Sequence, residues 1–333
     1  MTADDSALSR LGTVAGGTGG VWRVIDDEGA EHDAILRGRL KKSDSGKRAG
    51  GSVRRDTAKA AASAVKLAVG DRVRLDADER RETWGIIEIL PRHSRLARRA
   101  PGAGRGERVL AANIDEVVVM FAAAKPEPHV RMLDRFLVIA EANALAARVV
   151  INKIELTDEQ ETRARFADHA RAGYPMHFVS VKQRVGLAEV ERALHGRTSV
   201  VCGPSGVGKS SLLNALYPGL GLRVSEISES VNKGRHTTVG AFLHLLPKDV
   251  GGAVVDTPGL REIGMWELPI ESLDRCFPEL RALRDECRFA DCSHVAEPGC
   301  AVREAVERGD VSASRFDSYL KLREELDSQD PMY

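Results

Sequence analysis

The 333-residue sequence has few aromatic residues, no net charge and no long apolar run. Phe, Trp and Tyr make up only 5% of it, so few rings are available to stack on the bases of single-stranded nucleic acid. Its 49 basic and 49 acidic residues cancel, so any preference for nucleic acid must come from local patches. Apolar runs such as residues 117–124 are far shorter than the roughly 20 residues that a bilayer needs, so no membrane partner is predicted.

The first ten residues and the cysteine content both favour a cytoplasmic protein. The N-terminus contains Asp4 and Asp5 and lacks the apolar core of an export signal, so export is not expected. Five cysteines, three of them crowded near the C-terminus, do not suit a disulfide framework. They fit a reduced compartment and a metal site.

The crowded cysteines follow the pattern Cys287-x₄-Cys292-x-His294-x₅-Cys300. Three thiolates and one imidazole are the ligand set of a closed tetrahedral Zn²⁺ site, which can hold together a small domain with little core of its own. The sequence therefore predicts one structural zinc ion per chain. Isolated buried thiols and a redox role are the alternatives.

The chain is predicted to be a multidomain α/β protein with three parts. Residues 1–109 contain short β-like stretches separated by turns, which favours a small β-barrel. Within them, residues 41–64 are rich in Gly, Ser, Ala, Lys and Arg and form a predicted insertion. Strand-like and helical stretches alternate over residues 110–275, as in a mostly parallel sheet with helices on both faces. Residues 276–333 are predicted to be helical around the Cys/His cluster.

The strongest single signal is a phosphate loop at residues 203–210, which fits the pattern G-x-x-x-x-G-K-[ST] throughout. Its glycines let backbone N–H groups turn towards phosphate oxygens, and the N-terminus of the following helix adds partial positive charge. We expect Lys209 to reach the β- and γ-phosphates and Ser210 to ligate Mg²⁺. The alternative is a glycine-rich turn that binds nothing, and the loop alone does not distinguish ATP from GTP. The predicted phosphate-binding residues are Gly203, Pro204, Ser205, Gly206, Val207, Gly208, Lys209, Ser210 and Ser211.

A candidate base-recognition box, Asn-Lys-Ile-Glu, lies at residues 152–155 and resembles the N-K-x-D box of GTPases. In that box the carboxylate accepts hydrogen bonds from guanine N1–H and the 2-amino group, which adenine does not offer. Here Glu155 keeps both acceptors but moves them by one methylene. The stretch at residues 179–182, Val-Ser-Val-Lys, resembles the S-A-K loop that backs the guanine. The predicted base-binding residues are Asn152, Lys153, Ile154, Glu155, Ser180, Val181 and Lys182.

Two further segments complete the candidate site. In Asp-Thr-Pro-Gly at residues 256–259, Asp256 is expected to hold Mg²⁺ through water, and the Gly259 amide to meet the γ-phosphate. In Gly-Arg-His-Thr-Thr at residues 234–238, Thr238 is expected to cap the Mg²⁺ in the GTP state. The glutamine that commonly orients the attacking water is absent, and His236 is the nearest imidazole that could replace it. An ordinary surface loop and a structural His236 are the alternatives.

The order of these motifs is unusual. In ordinary GTPases the base box follows the phosphate loop and the acidic motif, whereas here Asn152 precedes Gly203 and Asp256. A sheet depends only on spatial neighbours, so the same pocket can form with new chain ends. The sequence thus predicts a circularly permuted GTPase, with slow turnover that a partner raises.

Two basic patches lie in the barrel region. One extends over residues 37–59, and the other contains Arg92, Arg95, Arg98, Arg99, Arg105 and Arg108. Because aromatic residues are sparse, structured RNA bound through its phosphates suits these patches better than single strands. A merely solvated basic loop is the alternative.

Together these motifs resemble the RsgA (YjeQ) family of ribosome-assembly GTPases, and so do Val-Gly-Asp at residues 69–71, Ala-Asn-Ile-Asp at residues 112–115 and Ser-Tyr-Leu at residues 318–320. The resemblance covers nearly the whole chain. It implies an N-terminal OB-fold, a permuted GTPase domain and a C-terminal zinc domain, with GTP and GDP as ligands. It also implies late maturation of the small ribosomal subunit, contact with its rRNA and stimulation of the GTPase by that subunit. A monomer is expected. Glu155 and the insertion at residues 41–64 depart from the family pattern.

Two other classes of function stay open at the level of sequence. An ATP-driven enzyme could use the same phosphate loop, with Glu155 marking lost guanine selectivity. A nucleotide-gated binding module could bind without useful hydrolysis. Competition between GTP and ATP tests the first, and turnover with and without small subunits tests the second.

Overall fold

The computed structural model describes residues 9–37, 40, 66–77, 83–99, 107–222, 241–256 and 268–329. The chain forms two compact units, one of residues 1–113 with 235–244 and the other of residues 114–234 with 245–333. The predicted insertion at residues 41–64 and the predicted switch residues 234–238 and 257–259 lie outside the described residues. The division into three domains stays a prediction.

Five strands of the first unit form a closed barrel in the order β1-β2-β3-β5-β4, as predicted for this region. Alternate residues along each strand face inward, so that Val73 and Leu75 of β4 are buried while their neighbours are partly exposed. The interior is filled by aliphatic side chains, among them Val14, Val24 and Ile86. The strands are β1 (Ser9–Thr18), β2 (Val21–Asp26), β3 (Glu31–Leu36), β4 (Arg72–Asp76) and β5 (Trp84–Ile89).

The Val-Gly-Asp and Ala-Asn motifs lock the barrel to a hairpin of β6 (Arg95–Arg99) and β7 (Glu107–Ala112). Gly70 has φ +86°, and a Cβ there would lie 2.1 Å from the carbonyl oxygen of Ala112, so only glycine fits. The Asn113 side chain donates to the Gly70 carbonyl at 2.9 Å. These motifs therefore have a structural role.

Arg92, counted in the second basic patch, forms a largely buried ion pair. Its guanidinium pairs with the fully buried carboxylate of Asp71 through bonds of 2.6 and 2.7 Å, and only 14% of its side chain is exposed. The sequence pattern could not show this, because the two residues are far apart in sequence. The charge of Arg92 is thus occupied by a structural ion pair, and RNA binding by the patch stays a prediction.

The second unit contains a sheet in which β10, β9, β8, β11 and β13 lie side by side in this order and pair in parallel. Strand β12 is divided between the two units, since its residues 242–244 belong to the first. The central strand β8 is buried along its whole length, as expected for a strand with both faces covered. Because the strands are parallel, the segments that follow β9, β11 and β13 meet at one edge. The strands are β8 (Glu116–Ala122), β9 (Ala146–Asn152), β10 (Met176–Phe178), β11 (Thr198–Cys202), β12 (Phe242–Leu245) and β13 (Ala253–Asp256).

Five helices alternate with these strands within the described residues 114–222. They are α1 (Val130–Ala142), α2 (Glu159–Arg165), α3 (Ala167–Arg171), α4 (Leu187–Leu194) and α5 (Lys209–Leu216). Helices α2 and α3 are separated at Phe166, whose φ and ψ of −107° and 7° leave the helical region while its ring is buried.

The C-terminal part of the second unit contains no strand within residues 268–329 and packs around its own apolar cluster. Its helices are α6 (Pro278–Arg281), α7 (Ala301–Arg308) and α8 (Ala313–Gln329), with single 3₁₀ turns at Ile270–Ser272, Asp274–Cys276 and Arg284–Glu286. Val138 of α1 belongs to the same cluster as Phe277 and Tyr319. The C-terminal part therefore shares its core with α1. In the described part of the chain, no helix has the length and apolar character needed to cross a membrane.

Candidate nucleotide site and metal-ligand cluster

The phosphate loop connects β11 to α5 through glycines that no other residue could replace. Gly203 has φ +134°, and a Cβ on it would lie 2.0 Å from the Met120 carbonyl oxygen. Gly208 has φ +97°, and its Cβ would lie 2.5 Å from the Asn152 amide nitrogen. Gly208 is also the N-cap of α5 and has no side chain to cap it, so the first N–H groups of that helix are left for a bound anion.

The ammonium of Lys209 lies at this loop. Its Nζ donates to the carbonyl oxygens of Gly203 at 2.9 Å and Pro204 at 2.7 Å. The side chain thus folds back over the loop, where phosphate oxygens would replace or join these carbonyls as partners.

Asn152 joins the base box to the phosphate loop and the backing loop. It ends β9 and is buried. Its amide nitrogen donates to the Val207 carbonyl at 2.9 Å, and its amide oxygen accepts from the Val181 N–H at 3.1 Å. Ser180 is fully buried, and its hydroxyl oxygen accepts from the Gln183 N–H at 3.0 Å. Three segments separated in sequence therefore meet at one side chain.

Lys153 spans the same region from a left-handed backbone conformation with φ +63°. Its Nζ donates to the Gly206 carbonyl at 2.7 Å and also to the Lys125 carbonyl. Lys125 was missed by sequence analysis, because a backbone carbonyl in the segment between β8 and the following helix carries no residue-type signal.

Glu155 lies in a 3₁₀ turn over Ile154–Leu156, directly after the box lysine. Its Oε2 atom is buried and has no hydrogen-bond partner among the residues that the structure describes. A buried carboxylate oxygen without a donor is costly, so this atom is available to a donor on a bound ligand or water.

Asp256 ends β13 and pairs in register with Val201 of β11, two residues before the loop begins. The two strands are parallel neighbours, so the acid lies beside the phosphate loop at the shared edge. A carboxylate and the Ser210 hydroxyl are hard oxygen donors, which suit Mg²⁺. Thr238, His236 and Gly259 lie outside the described residues.

The structure brings the four predicted zinc ligands together. One donor atom from each of Cys287, Cys292, His294 and Cys300 lies within 4.8 Å of the others. The Cys287 Sγ lies 3.6 Å from His294 Nδ1 and 4.0 Å from Cys300 Sγ, and the last two atoms are 3.3 Å apart. Zn–S bonds of about 2.3 Å and Zn–N bonds of about 2.0 Å place tetrahedral ligand atoms about 3.5–3.8 Å apart. The cluster therefore fits a tetrahedral metal ion.

Metal binding by the cluster would be coupled to the loss of thiol protons. Burial, together with the neighbouring thiols, raises the pKa of the Cys292 thiol to about 12, so it would stay protonated unless a cation displaced the proton. Asp274 lies behind the site, with Oδ2 3.7 Å from His294 Nε2 and 2.8 Å from Arg284 Nε. A carboxylate behind a ligating imidazole is a common arrangement that orients the ring. Sequence analysis missed Asp274, which is thirteen residues before the first ligand and part of no motif.

Tyr319 fixes the loop that carries His294. Its hydroxyl donates to the Ser293 carbonyl at 2.8 Å, and its ring lies 6.0 Å from the imidazole. The Ser-Tyr-Leu motif near the C-terminus therefore supports the metal-ligand loop.

A phosphate loop, an Asn-Lys box that precedes it in sequence and an acid on the adjacent strand define a circularly permuted phosphate-loop GTPase. The family model described as RsgA GTPase matches residues 89–266. The chain belongs to the RsgA GTPase family, and this confirms the predicted family and enzyme class.

Individual relatives agree with this assignment. A protein of Gemmatimonas aurantiaca named small ribosomal subunit biogenesis GTPase RsgA is 54% identical over 96% of this chain and 98% of its own length. A Thermotoga maritima protein of the same name is 42% identical over 79% of this chain and 84% of its own length.

Two solved structures have a similar fold over the whole chain. YjeQ from Thermotoga maritima has a TM-score of 0.73 and 34% identity, covering 96% of this chain and 99% of its own. YloQ, described as a circularly permuted GTPase, has a TM-score of 0.71 and 27% identity over all of both chains. The predicted fold class is confirmed: a barrel, a permuted GTPase fold and a C-terminal Cys/His cluster.

Proposed function

We propose that this chain hydrolyses GTP during late maturation of the small ribosomal subunit, binds its rRNA and is stimulated by the subunit. The names of the relatives support the subunit, since both that are quoted above are small ribosomal subunit biogenesis GTPases. We further propose that the protein acts as a cytoplasmic monomer, with the three domains at residues 1–109, 110–275 and 276–333.

One observation carries the choice of guanine. The buried Oε2 of Glu155 lacks a partner among the described residues, and Asn152 holds the box against both the phosphate loop and the Val181 N–H. Guanine N1–H and its 2-amino group would supply the missing donor, whereas adenine offers none there. Glu155 lies in a 3₁₀ turn, and we propose that this turn accommodates the extra methylene of glutamate.

The remaining residues act on the phosphates. Lys209 exchanges its carbonyl partners for β- and γ-phosphate oxygens, and the glycine-rich backbone of residues 203–208 holds the rest of the chain of phosphates. Bound Mg²⁺ would neutralise the charge that develops between the β- and γ-phosphates, held by Ser210 directly and by Asp256 through water. Thr238 and the Gly259 amide sense the γ-phosphate, and His236 orients the attacking water.

The Cys/His cluster binds one structural Zn²⁺ ion. Its four ligands fill a tetrahedron and leave no position for a substrate, and soft thiolates select zinc over Mg²⁺ or Ca²⁺. Zinc binding stabilises this segment, which without the ion would have to pack three thiols and an imidazole against one another.

The barrel supplies the RNA contacts. Since Arg92 pairs with Asp71, the remaining candidates for phosphate contacts are Arg95, Arg98, Arg99, Arg105 and Arg108, together with the basic patch over residues 37–59.

Nucleotide competition tests the guanine assignment directly. GTP and GDP are expected to displace a fluorescent guanine nucleotide at concentrations far below those of ATP and ADP. Equal displacement by ATP would favour the ATP-driven alternative. Turnover of GTP with Mg²⁺ should be slow for the isolated chain, and its complete absence even with small subunits would favour a binding module.

A further inference from the structure

A buried ionic cluster joins the C-terminal helix α8 to α1 and α3. Arg315 of α8 donates from Nη1 to Asp134 Oδ1 of α1 at 2.5 Å, and from Nε and Nη2 to Glu279 at 2.7 and 3.1 Å. The Nε2 atom of His169, in α3, lies 2.8 Å from the same Asp134 Oδ1 atom. Only 1% of the Arg315 side chain is exposed, and Asp134 and His169 are fully buried.

The charges in this cluster oppose any separation of the helices. Although burial disfavours the ionised carboxylate, the hydrogen bond from His169 and the charge of Arg315 hold the pKa of Asp134 below its ordinary value. Since Arg315, Asp134 and His169 are almost fully buried, moving α1 away from α8 would separate two buried opposite charges, which is costly even though Glu279 would still pair with Arg315. The rings of Phe277 and Tyr174 also lie 4.7 and 5.7 Å from the guanidinium carbon. The position of α1 is therefore fixed by Arg315.

Helix α1 in turn holds the segment that covers the base box. Residues 123–129 run from the end of β8 to the N-cap of α1, and they touch the box at both of its first two residues. The Ala123 N–H donates to the Asn152 carbonyl at 2.7 Å, and the Lys125 carbonyl accepts from Lys153 Nζ. Asp134 lies one turn into the helix that ends this segment.

We propose that Arg315 is a positioning residue of the guanine site, acting through Asp134, α1 and the Lys125 carbonyl on Lys153. Arg315 touches no part of the nucleotide site itself. We expect its effect to fall mainly on base selectivity, because the contacted residues Asn152 and Lys153 belong to the base box. Lys153 Nζ also donates to the Gly206 carbonyl of the phosphate loop, so the comparison of two nucleotides with the same phosphates is needed. This inference rests on the proposed guanine specificity of that box.

The test compares selectivity between GDP and ADP in the full-length, metal-loaded chain. Arg315→Met keeps most of the side-chain volume and removes the charge. It is expected to reduce the ratio of the ADP to the GDP dissociation constant by about tenfold, with ADP affinity nearly unchanged. Faster hydrogen exchange at the amides of residues 123–129 should accompany the loss.

Two further variants make the result decisive. Arg131→Met removes an exposed ion pair with Asp317, at 3.2 Å between the same two helices, and is expected to leave the ratio unchanged. Asp134→Asn keeps the shape of the Asp134 side chain and leaves Arg315 paired with Glu279. This variant tests the inference if Arg315→Met does not fold. We expect Asp134→Asn to lower the ratio of the ADP to the GDP dissociation constant by a smaller factor than Arg315→Met does.

Unchanged selectivity in both Arg315→Met and Asp134→Asn, even with lower thermal stability, would overturn the inference and leave Arg315 a purely structural residue. So would an equal loss of GDP and ADP affinity. A parent protein that binds GDP and ADP alike would instead overturn the proposed guanine site, and this inference with it.

Discussion

At the scale of single residues, the base box depends on one carboxylate. We expect Glu155→Ala to weaken GTP binding by roughly 2–4 kcal/mol and ATP binding by far less, because guanine would lose the acceptor for two donors in a partly buried site. Fluorescence competition with both nucleotides measures the difference. Glu159→Ala is the matched control, since Glu159 is an exposed acid four residues further on that pairs only with Arg163 among the contacts described here. Equal affinities for GTP in the parent and Glu155→Ala would remove Glu155 from the site.

Residue types within short motifs were predictable, and long-range partners were not. The phosphate loop, Asn152 and the four metal ligands follow from local patterns whose chemistry requires those side chains. No local sequence pattern indicates that Asp71 pairs with Arg92 or Asp134 with Arg315, because each pair forms only when distant segments pack. Arg92 therefore looked like a surface charge in the sequence.

At the scale of elements, the first three strands of the barrel are tied together by Asp26. Its carboxylate accepts from His32 of β3 at 2.7 Å, from Arg10 of β1 at 2.8 Å and from the Ala30 N–H at 2.8 Å. The hydrogen bond from His32, followed by those from the backbone and Arg10, holds the pKa of Asp26 well below its ordinary value of 3.8, although burial opposes this.

The folded-state pKa of Asp26 is lowered, so its contribution to stability is fully present above pH 3.8 and is lost as the pH falls towards the lower value. Asp26→Asn should cost about 1–3 kcal/mol of unfolding free energy near neutral pH, with a difference from the parent that shrinks below the ordinary carboxyl pKa. Urea unfolding of both proteins over a pH series measures this. A difference that is constant with pH would show that the carboxylate charge contributes nothing.

The metal-ligand loop is the element most dependent on a ligand. We expect Cys292→Ser to lose the zinc ion and to unfold residues 287–300 locally, because three remaining donors hold zinc weakly. Elemental analysis and hydrogen exchange measure the two effects. Cys276→Ser is the control, since Cys276 is a buried thiol of the same segment outside the cluster and should retain one zinc ion per chain. Parent protein without stoichiometric metal would contradict the assignment.

The glycines of strand β1 explain why the sequence pattern did not reveal this strand. Strand β1 contains Gly12, Gly16 and Gly17, which disfavour a strand prediction. In the barrel a Cβ on Gly12 would lie 2.7 Å from Val24 Cγ1, and one on Gly17 would lie 2.5 Å from the Trp22 ring. The glycines are needed because β2 packs closely against β1. The helical stretch of residues 159–171 is likewise divided into α2 and α3 at the buried Phe166.

At the scale of the whole molecule, the permuted order has a mechanical consequence. The base box comes first in the chain, and the phosphate loop and Asp256 come later and lead into the C-terminal part. That part shares an apolar core with α1 and is joined to it by Arg315. The C-terminal metal cluster and the nucleotide site therefore belong to one compact unit, so that a partner bound at the cluster could affect the nucleotide site.

The most direct test is GTP turnover by the full chain with purified small ribosomal subunits, using large subunits as the matched control. We predict slow hydrolysis by the chain alone and an increase of at least about tenfold at saturating small subunits, since a partner that completes a GTPase site commonly accelerates it by more than this. Large subunits should produce no comparable increase. Turnover that is unaffected by small subunits, or raised equally by large ones, would contradict the proposed role in small-subunit maturation.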